Sequence, residues 1–169
     1  MLRAVLFAAL VTASSAPAFA QGATNPAAAA AVDDFHKALS RNDTRGALSF
    51  LSRDLVVYEW GLIDPTLAQY AFKHLPLDMD AAAATAWSLQ DRKVRGTGDV
   101  YWVLSTYRVT GYDKLGAAID NETLETVLLQ RMGDAFKIIH FHWSSTPAGT
   151  AAPAIAGAVA PAAATSPPR

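Results

Sequence analysis

Two histidines stand close together in an apolar stretch near the end of the chain, KIIHFHWSS at residues 137–145. If this stretch is a β-strand, alternation puts His140 and His142 on one face and Phe141 and Trp143 on the other. Imidazole titrates near neutral pH, so a histidine beside a carboxylate can act as a general base or acid. The pattern leaves three interpretations open: structural histidines on a sheet face, an acid–base site, and ligands of a metal ion.

Carboxylates that could orient such a base occur on other predicted elements. Glu59 lies in the apolar run LVVYEW at residues 55–60, where alternation sends Tyr58 and Glu59 to opposite faces, so that only one of them can face a pocket. Asp78 and Glu125 are two further candidates. The predicted catalytic residues are therefore His142, His140 and Glu59, and the chemistry open to them is proton transfer, dehydration or hydration.

Two imidazoles on one strand face could instead ligate a transition metal, with His74 completing the set. The chain has no cysteine, which excludes disulfides, thiol nucleophiles and thiolate metal sites. Copper or zinc would therefore have to be held by histidine and carboxylate, and no other cofactor is expected. His36, in the predicted opening helix, is interpreted as a surface or structural residue.

Other classes of function are disfavoured by motifs and charge. The chain has no glycine-rich phosphate loop and no G-x-S-x-G nucleophile elbow. It carries 14 basic and 15 acidic side chains without a basic cluster. Nucleic acid is therefore not expected as a partner.

The two ends of the chain differ in composition from its middle. Residues 1–20 combine a basic start, an apolar run and a small-x-small site, which predicts a secretory signal peptide cleaved before Gln21. We therefore expect a periplasmic or secreted protein with no integral membrane segment after cleavage. Residues 21–30 are predicted to be a flexible segment, 31–146 the folded domain, and 147–169 a disordered tail rich in alanine and proline.

The periodicity of the middle segment predicts an α+β fold. Apolar residues at helical spacing indicate an amphipathic opening helix over residues 28–39, and Asp43 can cap a short second helix. A strand at 55–60 and a helix at 64–73 follow. Four strands joined by short turns then complete an antiparallel sheet, at about residues 86–95, 100–110, 122–131 and 137–145.

Three stretches carry a resemblance to a known family: FHKALSRNDTRGALSFLSRDLVVYEWG, HLPLD and LETVLLQRMGDAFKIIHFHWSS. From Ala31 to Ser145 the chain resembles the nuclear transport factor 2-like superfamily and, within it, exported SnoaL-like domains. The resemblance implies a curved antiparallel sheet wrapped around the N-terminal helices, the cystatin-like α+β roll, with one deep cone-shaped pocket. It also implies a homodimer through the outer sheet face. Ketosteroid isomerase, scytalone dehydratase, polyketide cyclases and many ligand-binding domains share this fold.

On that resemblance, the pocket is expected to face His140 and His142. The other candidate pocket residues are Tyr58, His74, Asp78, Glu125 and Trp143. The main hypothesis is an exported small-molecule-binding domain in which a histidine and a carboxylate transfer protons. The alternatives are a metal-binding protein of the envelope that uses His74, His140 and His142, and a dimerising structural module with a vestigial pocket.

Overall fold

The computed structural model describes residues 25–150. The predicted signal peptide, the start of the segment 21–30 and the tail beyond Thr150 lie outside the described residues. Within residues 25–150, no helix has the length and apolar character needed to cross a membrane.

Two helices open the described chain, as predicted. Helix α1 (Pro26–Ser40) is capped by the side chain of Asn25 and buries an apolar stripe on the sheet. Its first turns are rich in alanine, the best helix former, which explains why it begins within the segment 21–30. Helix α2 (Thr44–Phe50) is capped by Asp43, as the sequence predicts.

The sheet has six strands in the order β2-β1-β6-β5-β4-β3. Neighbouring strands pair antiparallel, except that β1 and β6 run parallel. The sequence predicted an antiparallel sheet throughout. The parallel pair arises because β1 and β6 are joined by most of the domain, not by a hairpin that would force opposite directions. The strands are β1 (Leu51–Glu59), β2 (Leu62–Asp64), β3 (Thr85–Thr97), β4 (Val100–Tyr112), β5 (Ala118–Met132) and β6 (Ala135–Pro147).

Between β2 and β3 the chain forms two helices where one was predicted. Helix α3 (Leu67–Lys73) is capped by Thr66. It does not begin at Asp64, because Asp64 is the last residue of β2 and pairs with Val57 of β1. Helix α4 (Leu75–Ala84) follows directly and ends in a run of alanines with high helix propensity.

The helices pack on the inner face of the sheet around one hydrophobic core. Phe35 of α1, Tyr70 of α3 and Phe141 of β6 meet there, with ring centroids 5.8 Å apart for Phe35–Phe141 and 5.3 Å for Tyr70–Phe141. Burying a side chain of this size stabilises the fold by about 2 kcal/mol. The predicted fold class, a curved sheet wrapped around N-terminal helices, is confirmed.

Strand β6 departs from strict alternation at Ile139. Leu129 of β5 pairs with Ile138 and Leu128 pairs with His140, so Ile139 is an extra residue in β6. Such a β-bulge shifts the alternation of faces by one residue. Ile138 and Phe141 are therefore both fully buried on the inner face, although they are three residues apart.

Candidate functional site

A cavity of about 480 Å³ lies between the helices and the inner face of the sheet. Its walls are mainly apolar, and six tryptophan and leucine side chains contribute to them: Leu39, Trp60, Leu62, Leu77, Trp87 and Trp143. Carboxyl and imidazole groups interrupt this apolar surface at four lining residues: His36, Glu59, His74 and Asp78. A volume of this size holds a small organic molecule.

Strand pairing brings the polar residues of the sheet into one row. Glu59 of β1 pairs with Trp143 of β6, and Trp143 pairs with Glu125 of β5. The row continues through Ser105 of β4 to Arg92 of β3. Because adjacent strands are about 4.8 Å apart, the backbones of Glu59 and Glu125 are separated by roughly 10 Å.

Glu59 and Asp78 form a carboxyl pair in the cavity wall, where each acts on the pKa of the other. Burial raises the pKa of Glu59, and burial together with the charge of Glu59 raises the pKa of Asp78 to about 8. Tyr70 donates a hydrogen bond to Asp78 Oδ2 at 2.8 Å. At neutral pH Asp78 is therefore mostly protonated.

A histidine–aspartate pair lies next to these carboxyl groups. His74 Nδ1 is hydrogen-bonded to Asp64 Oδ2, and the Asp64 side chain is buried. An ionised carboxylate only accepts hydrogen bonds, so Nδ1 is the donor, and in the neutral imidazole Nε2 is then an acceptor. In its protonated form His74 also lowers the pKa of Glu59 against the effect of burial.

The environment of Glu125 differs from that of Glu59 and Asp78, because three side chains donate hydrogen bonds to its carboxylate. His36 Nε2 lies 2.6 Å from its Oε1, Trp143 Nε1 donates to the same oxygen at 2.8 Å, and the Tyr107 hydroxyl donates to Oε2 at 3.2 Å. Burial alone would raise the pKa of Glu125, but the charge of His36 and the three hydrogen bonds lower it overall. Glu125 is therefore held as an ionised structural acceptor behind the cavity lining.

Arg92 extends this structural network from the sheet to α1. Its Nη2 donates to the Tyr107 hydroxyl at 2.6 Å, its Nε to Ser105 at 3.1 Å and its Nη1 to Asp33 at 2.7 Å. Burial and the charge of Glu125 raise the pKa of Tyr107 to about 12, so its hydroxyl keeps its proton. The network fixes α1 against β3, β4 and β5.

The predicted orientation of β6 is wrong. His140 and His142 lie on the outer face, away from the cavity, while Phe141 and Trp143 face inward and are buried. His140 Nδ1 donates to the Val56 carbonyl oxygen at 2.8 Å. Alternation from His140 to Trp143 is regular, and the inner face is the one that bears Phe141 and Trp143, because the Phe141 ring packs there against Phe35 and Tyr70 of the helices.

The other predicted pocket residues divide between the two faces. Glu59, His74, Asp78 and Trp143 line the cavity. Glu125 lies behind it and bonds to the lining residues His36 and Trp143. Tyr58 is on the outer face, 46% exposed, with its ring against His140. Alternation thus placed one of Tyr58 and Glu59 inside, and that residue is Glu59.

The arrangement contradicts the metal site proposed from His74, His140 and His142. His74 lines the cavity, whereas the other two histidines lie on the opposite face of the sheet. Across residues 25–150, no group of three or more His, Asp or Glu side chains is arranged to hold a metal ion.

Three site residues were not predicted: His36, Asp64 and Tyr70. A signal for His36 existed, because it lies in the helical stripe Val32, Phe35, His36, Leu39, with the spacing of a buried face. Asp64 was interpreted as a helix cap, and Tyr70 carries no local pattern that separates it from an ordinary core residue.

Comparison with known proteins shows which family and which solved structures this chain resembles. The model of a family described as SnoaL-like domain matches residues 28–149. Among curated proteins, no sequence matches the chain. A solved structure of a candidate ketosteroid isomerase from Shewanella frigidimarina NCIMB 400 is similar at 30% sequence identity, covering 70% of this chain and 94% of that one, with a TM-score of 0.65.

Two more distant structures share the fold. One is a candidate dehydratase of the nuclear transport factor 2-like family from Streptomyces avermitilis, 18% identical over 72% of this chain and 95% of its own, with a TM-score of 0.63. The other is a candidate association domain of calcium/calmodulin-dependent protein kinase II type from Xanthomonas campestris, 19% identical over 79% and 99%, with a TM-score of 0.62. At these identities the likeness concerns the fold alone.

Proposed function

The chain belongs to the SnoaL-like domain family, within the nuclear transport factor 2-like superfamily, and from that premise we propose that it binds an apolar small molecule and transfers a proton on it. The observation that supports the proposal is an apolar cavity whose wall carries the Glu59–Asp78 carboxyl pair and the His74–Asp64 pair. The related candidate isomerase and dehydratase act as analogies for this class of chemistry.

The lining favours a largely apolar ligand with one or two oxygen atoms. Tryptophan and leucine side chains offer flat apolar contacts, and hydrogen-bonding groups are few relative to them. Oxygen atoms of the ligand would form hydrogen bonds with the carboxyl and imidazole groups of the lining. A highly charged ligand would leave its charges unpaired against the apolar walls.

The carboxyl pair supplies a base and a donor in adjacent positions. Glu59, whose ionised form is favoured by the Trp60 hydrogen bond and by His74, accepts a proton from a carbon next to a carbonyl group, leaving an enolate. Asp78 keeps its proton at neutral pH and donates a hydrogen bond to the enolate oxygen, which stabilises the developing charge. Return of the proton from Glu59 to a carbon completes the step, and the neutral form of His74 offers Nε2 as a second acceptor for isomerisation.

Hydrogen exchange on a simple ketone tests this proposal. The probe is 2-tetralone, an apolar bicyclic ketone, incubated in deuterated buffer with the protein while NMR follows loss of its α-proton signals. We expect the wild-type protein to accelerate exchange and Glu59→Gln to reduce the acceleration about a hundredfold. His142→Ala, on the outer face, is the matched histidine control and should leave exchange unchanged.

Three outcomes separate the candidate functions. Acceleration lost in Glu59→Gln but kept in His142→Ala supports the proposal. Binding of 2-tetralone without exchange would support a domain that only binds its ligand. Neither binding nor exchange would contradict the proposal and favour the alternative of a structural module.

The outer sheet face supports a homodimer. Cross-strand pairing sets Leu104, Thr126, His142 and Tyr58 in one row across β4, β5, β6 and β1. Leu124, which is 58% exposed, stands in the next row beside Thr106 and Ser144. We propose that a second copy covers this partly apolar face.

An exported location is proposed on the leader-like composition of residues 1–20. Mass spectrometry of the protein isolated from the periplasm or medium should give an N-terminus at Gln21. Recovery of the whole protein in the cytoplasm with Met1 retained would contradict this.

A further inference from the structure

The turn between β1 and β2 has an unusual residue at its first position. Glu59 pairs with Leu62, so the two-residue loop is Trp60–Gly61, and both residues have positive φ, +51° and +77°. This is the pattern of a type I′ hairpin turn, for which Asn-Gly is the favoured sequence. A bulky aromatic residue in the left-handed region is strained, and such strain is concentrated at functional sites.

The Trp60 side chain is directed to the site and not to the core. It remains 67% exposed, yet it is part of the cavity lining. Its indole Nε1 donates a hydrogen bond to Glu59 Oε1 at 3.1 Å. Core packing therefore does not explain why tryptophan occupies a position that suits asparagine or glycine.

We propose that Trp60 is a positioning residue for Glu59: its indole N–H orients the carboxylate in the cavity wall, and its ring covers the ligand at the cavity mouth. The role of the ring rests on the proposed function, whereas the role of the N–H concerns Glu59 itself. The other groups that act on Glu59 are His74, Asp78 and Asp64.

Electrostatics support the same assignment. Burial raises the pKa of Glu59, and the Trp60 hydrogen bond is the largest influence in the opposite direction. Without this bond, the carboxylate would be held ionised only by the weaker effects of its other neighbours. Trp60 thus favours the form of Glu59 that can accept a proton.

Carbon-13 NMR can follow Glu59 directly, because the chain has only three glutamates: Glu59, Glu122 and Glu125. We expect Trp60→Phe, which keeps an aromatic ring but removes the donor, to raise the Glu59 titration midpoint. The Glu122 signal should stay in place as an internal control. Trp102→Phe, a change on the outer face, is the matched tryptophan control and should move none of the three midpoints.

The variant Trp60→Asn tests the strained turn. It creates the favoured Asn-Gly turn, so the thermal midpoint should rise by about 2–4 °C even though a hydrogen bond is lost. The same variant should weaken binding of 2-naphthol, a small planar probe followed by fluorescence, about tenfold, because the covering ring is gone. A merely structural tryptophan would give a lower thermal midpoint.

The outcomes distinguish failure of this proposal from failure of the proposed function. An unchanged Glu59 midpoint in Trp60→Phe, or a lower thermal midpoint in Trp60→Asn, would overturn the positioning role whether or not the probe binds. If 2-naphthol fails to bind the wild-type protein while the Glu59 midpoint shifts, the orienting role of Trp60 stands and the ligand-binding proposal is weakened.

Discussion

Asp78 is half-buried and Glu125 is buried beside the same cavity, and their neighbours help to move their pKa values in opposite directions. Asp78 faces another carboxyl group, and its pKa rises to about 8. Glu125 faces an imidazole, an indole and a phenol, and its pKa falls. The first group can exchange a proton near neutral pH, while the second is fixed in one state. A position beside the same cavity therefore does not give the two residues the same role.

Replacing Asp78 with asparagine should stabilise the fold at alkaline pH. The folded-state pKa is about 8 against an ordinary 3.8, so the unfolded chain loses this proton first and stability falls as the pH rises through that interval. Asparagine copies the neutral acid, since it can accept from Tyr70 and donate to Glu59. We expect a gain of about 1–3 kcal/mol in the free energy of unfolding near pH 8.5.

Urea denaturation of both proteins across the pH range measures this effect. The two curves should converge near pH 4, where Asp78 is protonated in the folded protein and increasingly so in the unfolded chain. Parallel pH dependences of wild type and Asp78→Asn would show that Asp78 does not hold an elevated pKa.

Glu125→Gln should have the opposite effect on the free energy of unfolding: we expect it to destabilise the fold. The glutamine amide brings two donors to a site where three donors already converge, so we expect a loss of about 2–4 kcal/mol at neutral pH. Because the folded-state pKa is lowered from 4.5, the contribution of Glu125 is present above that value and is lost as the pH falls through the folded-state pKa.

Guanidinium denaturation at neutral and acidic pH checks this prediction, with Glu122→Gln as the matched control on the exposed side of the same strand. Glu122→Gln should change stability by less than about 0.5 kcal/mol. Equal effects of the two substitutions would contradict a structural role for Glu125.

At the scale of elements, local periodicity predicts the helices and strands that bury a continuous face. Helix α1 and strands β4, β5 and β6 show such periodicity, and each occurs where the sequence places it. Glu59 could be placed in a strand for the same reason, although the choice between it and Tyr58 needed the fold. The periodicity of such an element can be recognised from neighbouring residues alone, although a strand still needs a partner to pair with.

The features that the sequence did not reveal depend on contacts between distant residues. The three-residue strand β2 exists because it pairs with β1, and the parallel pairing of β1 with β6 joins segments about 80 residues apart in sequence. The bulge at Ile139 is set by register with β5, and a shift of one residue exchanges the faces of a strand. The alternation of residues 140–143 could be predicted, but which of their two faces points inward depends on contacts of Phe141 with helix residues far away in sequence.

At the scale of the whole molecule, the sheet separates two surfaces with different proposed roles. Its inner face bears Glu59, Trp143 and Glu125, and the cavity lies on that side. Its outer face bears Tyr58, His140 and His142 with neighbouring leucines. Pairing of two copies through the outer face would leave the cavity unobstructed, so assembly and ligand binding can be tested independently.

Leu124→Asp tests the proposed homodimer. In a two-fold symmetric interface each substitution occurs twice, so two carboxylates would be desolvated per dimer, and we expect at least a roughly hundredfold rise in the dimer dissociation constant. Light scattering coupled to size-exclusion chromatography should show a dimer for wild type and a monomer for the variant.

Leu115→Asp is the control for this prediction. It introduces the same charge at an exposed leucine of the β4–β5 loop and should leave the dimer intact. Because the cavity is on the other side of the sheet, Leu124→Asp should bind 2-naphthol as the wild-type protein does. A monomeric wild-type protein, or a dimer that persists in Leu124→Asp, would exclude the outer face as the interface.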